Sequence, residues 1–282
     1  AMHATNKGMD LTCRWSHKAL AFTEKKEEIN NNNSGHGFES EVKSSSASVS
    51  VSVSVLVWGG YGYDCSRRNL GKLMSCGRLN DVFDLTRVGN VWSATPGKRC
   101  VGDTKATIPC KRQHFSWTPI NINRGVMFAG RTNPNKGLND LWTIARMENG
   151  YKFKEMKQNG MTVSPRWRHA TCRITTFDQK GLSTTGIFLF GGRDSSKCLN
   201  DSFILDTDTW TWREVNGVGD RPSPRHSHTV LQVDLNHVVV FGGYLHGGDA
   251  NNPRDQALYF LNLHTKKWRR VFGDAPPPER LP

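Results

Sequence analysis

The chain has 282 residues, 36% of them hydrophobic and 10% aromatic, enough to bury a substantial core as one large domain or two ordinary ones. Its 38 Lys and Arg against 25 Asp and Glu give a net charge of +13, which favours anionic partners, with nucleic acid leading on charge alone. No apolar run approaches the roughly 20 residues that span a bilayer, and seven scattered cysteines without a C-x-x-C pair argue against a disulfide framework or structural zinc, fitting a reducing, cytoplasmic compartment.

In chain order, the first signal is a corner, Arg14 and His17, followed by a short apolar stretch. The stretch from Thr23 to Val55, rich in Asn, Ser, Glu and Lys, reads as a disordered insertion at 23–55, although its SVSVSVSV portion alternates with period two and could prolong a strand. LVWGGYG then ends a strand at Gly59-Gly60. A loop from Tyr61 to Arg78 leads to Leu79-Asn80-Asp81, and Phe83 leads to Trp92. After a second loop, Thr95 to Pro109, the pattern restarts with Lys111 and His114. It continues through VMFAG, ending at Ala129-Gly130, to Leu138-Asn139-Asp140, with Phe153 where a tryptophan would stand. A third round runs from Arg166 and His169 through FLFGG (Gly191-Gly192) and Leu199-Asn200-Asp201 to Trp212. The fourth runs from Arg225 and His228 through VVVFGG (Gly242-Gly243) and the looser PRDQALY to Trp268.

Each round reads as four short strands. The β-branched and aromatic run before the glycines is a strand covered on both faces, and glycine at its end permits positive φ or a close approach. The tryptophan is a wedge between sheets, worth on the order of 2–3 kcal/mol when buried. No segment holds a 3.6-residue period over a helix length, so helix is at most a minor component. A four-stranded sheet cannot cover both its own faces, so the copies are expected to pack radially as blades.

The ordered set of glycine pair, aromatic and tryptophan resembles the kelch motif, which implies an all-β kelch-type β-propeller. About four blades are expected, at 14–94, 110–157, 164–215 and 223–272, in an incomplete ring. Pro276 to Pro282 (PPPERLP) repeats the proline-arginine corner and reads as the start of a truncated next blade at 276–282.

CKRQHFSW, MFAGRTNPNKGLNDLW and PRWRHATC in turn resemble the propeller region of the tRNA wybutosine-synthesizing protein 4 (leucine carboxyl methyltransferase 2) family. That resemblance implies a parent tRNA methyltransferase in which S-adenosylmethionine binds an N-terminal domain absent from this sequence, while the propeller contacts tRNA or its own catalytic domain. No cofactor site, metal site or catalytic residue is expected in this segment. The alternative is a kelch adaptor that binds another protein.

The residues following the glycine pairs, Tyr61, Arg131, Arg193 and Tyr244, are expected to leave the second strands at one end of the ring. Tyrosine and arginine stack on bases and grip phosphates, so these four are the candidate RNA or partner contacts, with Arg124 and Lys136 as electrostatic support. Loop packing and surface charge account for the same residues without a ligand. The corner histidines and basic residues read as structural hydrogen-bonding groups. Lys266, Lys267, Arg269 and Arg270 read as an exposed strand rim around Trp268.

Overall fold

The structure is a computed structural model; it describes residues 14–15, 18–28, 48–63, 76–88, 91–97, 108–148, 150–177, 182–245 and 257–271. Among these every regular element is a strand, and no helix is long and apolar enough to cross a membrane.

The first sheet comprises β1 (Arg14–Trp15), β2 (Lys18–Glu28), β3 (Ser48–Tyr63), β4 (Cys76–Val88) and β5 (Val91–Pro96). It is ordered β1-β3-β4-β5, with β2 also paired to β3. The second is built from β6 (Ser116–Asn121), β7 (Arg124–Phe128), β10 (Leu141–Met147) and β11 (Gly150–Glu155), with β8 (Arg131–Asn133) and β9 (Lys136–Gly137) forming a hairpin at its end. The third takes β12 (Asn159–Gly160), β13 (Ala170–Phe177), β14 (Ser183–Arg193), β15 (Cys198–Asp206) and β16 (Thr211–Glu214). The fourth takes β17 (Val218–Gly219), β19 (Thr229–Asp234), β20 (His237–Phe241), β22 (Leu258–Asn262) and β23 (Lys267–Val271), with β18 (Arg225–His226) and β21 (Tyr244–Leu245) paired at its corner. Each sheet is thus an antiparallel meander of four principal strands. In the third and fourth, a two-residue strand from the preceding linker pairs in parallel with the outer strand, β12 on β16 and β17 on β23. That covers an outer edge that would otherwise present free backbone groups.

Alternation along the second strand of each blade builds the core. Phe188 and Phe190 pack with Val230, Val238, Val240, Tyr259 and Trp268 of the fourth sheet, whereas Ile187 and Leu189 pack with Val126 and Phe128 of the second. Likewise Met127 turns toward Trp58 of the first sheet. An apolar run is required because both faces are buried, and the period of two divides it between neighbours. Inner strands of successive sheets adjoin, β2 to β6, β6 to β13 and β13 to β19, so the sheets fan in chain order. Polar stitches cross the same gaps: Thr118 and Thr171 hydroxyls meet at 2.6 Å, and the Gln232 amide both accepts from Thr175 N at 2.9 Å and donates to Thr175 O at 3.1 Å. At the corners the Arg168 amide donates to His114 O at 2.9 Å and the Ser227 amide to Arg168 O at 2.8 Å. All three residues have positive φ, at 58°, 56° and 56°.

Three features differ from the sequence reading. Residues 23–28 and 48–55, placed in the disordered insertion, extend the β2–β3 ladder, because the serine-valine alternation pairs in register as far as Glu28↔Ser48. Residues 29–47 lie outside the described residues, as do 276–282. Trp92 is not the equivalent of Trp212 and Trp268. Those two lie opposite Leu205 and Leu261 and are each 1% exposed, while in the first sheet Ala94 lies opposite the matching Leu85. Trp92 stands two residues away and is 39% exposed. In the second sheet Phe153, opposite Ile144, fills the tryptophan position.

The third difference is the second corner, which is shifted by one residue. Arg112, not Lys111, is the buried corner arginine, and Phe115, not His114, takes the ring position of His169 and His228. KRQH imitates R-x-x-H in the wrong frame.

The described residues do not close a ring. Phe241 holds the position of Phe128 and Phe190, one residue before the glycines, yet is 47% exposed. Leu231 and Val233 hold the positions of the buried Cys172 and Ile174 and are 59% and 48% exposed.

Candidate interaction site at the blade corners

A buried ion pair sets each interior corner. Arg112 Nη1 and Nη2 donate to the two Asp140 carboxylate oxygens at 2.6 Å each, and Nη1 also reaches Ala129 O at 3.0 Å. Arg166 repeats the fork on Asp201 at 2.6 and 2.7 Å and on Gly191 O at 3.1 Å. Here lies the role of Leu-Asn-Asp: the aspartate neutralises the corner arginine, while Asn139 and Asn200 donate to Val163 O and Pro222 O in the linker to the next blade. In the fourth sheet Ala257 holds the aspartate position, and Arg225 donates to Gly242 O and lies 4.9 Å over the Tyr259 ring.

With that anchor fixed, the next residue along the corner pairs with the residue after the glycines. The pairs are Trp15↔Tyr61, Gln113↔Arg131, Trp167↔Arg193 and His226↔Tyr244. The glycines take φ of 95° to 97° at Gly130 and Gly192, and a Cβ on Gly192 would stand 2.8 Å from His169 Cβ. Only glycine lets the corner approach that closely.

These pairs form a row across the blade ends. Arg131 lies 5.4 Å and Arg193 5.7 Å from the ring centre of Trp167. The Gln113 amide, turned so that its oxygen faces the guanidinium, accepts from Arg131 Nε at 3.2 Å. His226 stacks on Tyr244 with ring centres 5.6 Å apart and planes 27° apart. Burial, then Arg168 and Arg193, push the His226 pKa down to about 4, and burial with Arg193 lowers that of Arg168. Gln113, Trp167 and His226 are buried, so the open side of the row is the half-buried Arg131 and Arg193 guanidiniums and the exposed Tyr244 ring, carried on backbone bridged between strands. It can stack on flat groups and grip anions.

Of the residues expected at this site, Arg131, Arg193 and Tyr244 lie in the row, and Tyr61 is described only through its strand register, opposite Trp15 and Arg78. Lys136 is exposed on the hairpin that carries Arg131. Arg124 does not join them: it opens β7 at the far end from Gly130, paired with Asn121 and Ala145. The basic run around Trp268 is dispersed, since Lys266 bonds Leu263 O in a turn and Arg270 lies 5.7 Å over Tyr259. Trp167, Arg168, Gln113 and His226 were missed. Their signal was the pair of variable positions inside R-x-x-H, read as spacer.

His169 and His228 are structural. Nε2 of His169 shares a 2.8 Å bond with Ser116 Oγ, and Nε2 of His228 donates to Phe190 O at 3.0 Å. Burial, then Arg225, lowers the His228 pKa to about 3, and burial raises that of Cys172 to about 12, so Cys172 is inert. Among the described residues no His, Cys, Asp and Glu group is placed to hold a metal.

Residues 149–281 match the model of the KLHDC2/KLHL20/DRC7 Kelch-repeats domain. Acyl-CoA-binding domain-containing protein 5 of Arabidopsis thaliana is 38% identical over 215 residues, 71% of this chain and 29% of the relative. Rab9 effector protein with kelch motifs of Rattus norvegicus is 29% identical over 185 residues, 64% of this chain and 45% of that protein. Host cell factor of Drosophila melanogaster is 27% identical over 187 residues, 59% and 12% of the two chains. The chain therefore spans less than half the length of these relatives. Fold and corner geometry define an all-β protein of repeated, radially packed four-stranded blades. With these matches, it is a kelch-repeat protein. The comparisons do not show the resemblance to the tRNA wybutosine-synthesizing protein 4 family.

Proposed function

We propose that this chain is a protein-interaction module that docks an acidic segment of a partner on the corner end of its blades. The observation that carries the reading is the pair of half-buried guanidiniums, Arg131 and Arg193, drawn from two blades and held against the buried Trp167 indole at the blade corners. Interface anchors are commonly arginine and aromatic residues on rigid backbone. Relatives named as a Rab9 effector and as host cell factors support an interaction role.

The rival reading is tRNA contact by the same end, as part of a wybutosine-type methyltransferase; the net charge of +13 favours it. The two separate in one experiment. Wild type, Arg131→Ala/Arg193→Ala and an outer-strand control, Lys267→Ala/Arg269→Ala, are compared for binding to tRNA across a salt series and for retention of proteins from cell extract treated with ribonuclease. Retention lost only in the corner variant supports protein docking. Tight, steeply salt-dependent tRNA binding that the corner variant loses, with no protein retained, overturns it in favour of RNA.

A further inference from the structure

We infer that the junction of the third and fourth blades binds a phosphomonoester carried by a protein partner, held by Arg168, Arg193, His226 and Tyr244. The inference rests on the partner-docking reading and names the chemistry of one contact within it.

Two guanidiniums meet here without a counter-charge. Arg193 donates Nε to Asp194 O at 3.2 Å, and neither it nor Arg168 pairs with a carboxylate among the described residues. The buried corner arginines one step inward differ: Arg112 and Arg166 each hold an aspartate at 2.6 Å. Among the described residues, Arg112 and Arg166 are thus paired with carboxylates in the scaffold, whereas Arg168 and Arg193 at the blade ends are not. Arg168 is fixed for this role by its backbone, whose amide donates to His114 O and whose carbonyl accepts from Ser227 N. His226 completes the wall, with Nδ1 at 3.1 Å from Ser227 Oγ and its ring stacked on Tyr244.

Charge decides the ligand. With the imidazole neutral at physiological pH, the cluster carries two positive charges, from Arg168 and Arg193. A phosphomonoester brings about −1.5 to −2, with oxygens that match two guanidinium forks, whereas a carboxylate or an RNA phosphodiester brings one negative charge and leaves a cation unmatched. This favours a phosphorylated side chain over both an acidic one and a nucleic-acid backbone. The composition is local to this junction, since His114 and Gln113 stand where Arg168 and Trp167 stand one blade later.

The test titrates the protein with phenyl phosphate, methyl phenyl phosphate and benzoate, read by the ring resonances of His226. Saturable binding of phenyl phosphate is expected, with the two monoanions about tenfold or more weaker, as is phenyl phosphate in Arg168→Ala and Arg193→Ala. Arg213→Ala, on an exposed outer strand, is expected to leave binding unchanged, and wild-type-like thermal unfolding of Arg168→Ala excludes misfolding. Equal affinity for the three probes, or binding that survives Arg168→Ala, overturns the proposal. A parallel arm separates it from the docking reading. Partner retention that withstands phosphatase and excess phenyl phosphate, yet is lost in Arg131→Ala/Arg193→Ala, sinks the phosphoester and leaves docking intact. Retention by no form of the protein sinks docking itself.

Discussion

Phe190 and Trp268 meet across the third and fourth blades with ring centres 5.5 Å apart, as Phe128 and Trp212 meet at 5.0 Å across the second and third. The same two repeat positions make both contacts, so the second-strand aromatic of one blade is the seat of the next blade's indole. A histidine of the incoming blade joins each pair, His169 against Phe128 at 5.5 Å and His228 against Phe190 at 5.3 Å.

That repetition sets a stability contrast within one sequence position. Phe190→Ala is expected to cost about 3–5 kcal/mol, because it removes a fully buried ring and leaves a cavity. Phe241→Ala, at the matching position on the uncovered face, is expected to cost under about 1 kcal/mol. Urea unfolding of the two variants measures the difference, and similar losses would mean that the fourth blade's face is covered in solution.

The glycine pairs give a second contrast. Gly192→Ala puts a Cβ 2.8 Å from His169 Cβ and 2.9 Å from Trp167 O, at a φ of 97°. Gly242→Ala, at a φ of 69°, meets nothing within 4 Å. The first is expected to destabilise by several kcal/mol and the second by only the left-handed backbone cost, about 1 kcal/mol, both read by denaturant midpoint.

Breaking a corner pair should be severe. Asp201→Asn leaves the buried Arg166 guanidinium without its carboxylate, and a loss of about 3–5 kcal/mol is expected. Asp206→Asn, whose partner Arg213 is largely exposed at 3.8 Å, is the control and should cost under about 1 kcal/mol in the same assay.

Acid should unfold the protein through His228. Its pKa falls from 6.5 in the unfolded chain to about 3 in the folded one, so the unfolded state binds the extra proton between those values. Stability is complete above pH 6.5 and falls by up to about 1.4 kcal/mol per pH unit as pH drops toward 3. His228→Phe, which copies Phe115 at the same position two blades earlier, is expected to reduce that slope in thermal melts between pH 4 and 7, with His226, whose pKa falls to about 4, supplying a remaining part of the same sign. An unchanged slope would place the acid sensitivity elsewhere.

The fold was legible because its signals recur. Gly191-Gly192, Asp201 and Trp212 each report one constraint, and their spacing repeats even where a residue changes. The reading failed where a single copy drifted: Trp92 satisfies the spacing by eye, but the register places Ala94 opposite Leu85. KRQH failed likewise, since sequence does not distinguish a buried Arg112 from an exposed Lys111 when both are basic. The candidate site was half legible. The positions after the glycines stood out, while Trp167, Arg168 and His226 lie in the corners that open those same repeats, and only strand pairing brings them to Arg193 and Tyr244.

Amide hydrogen exchange of the protein alone and loaded with its retained partner tests partner docking at the blade corners most directly. Slowed exchange in 131–138, 193–198 and 244–245, with 211–214 and 267–271 unchanged, is the predicted result. Slowing confined to the outer strands at 211–214 and 267–271 would contradict it.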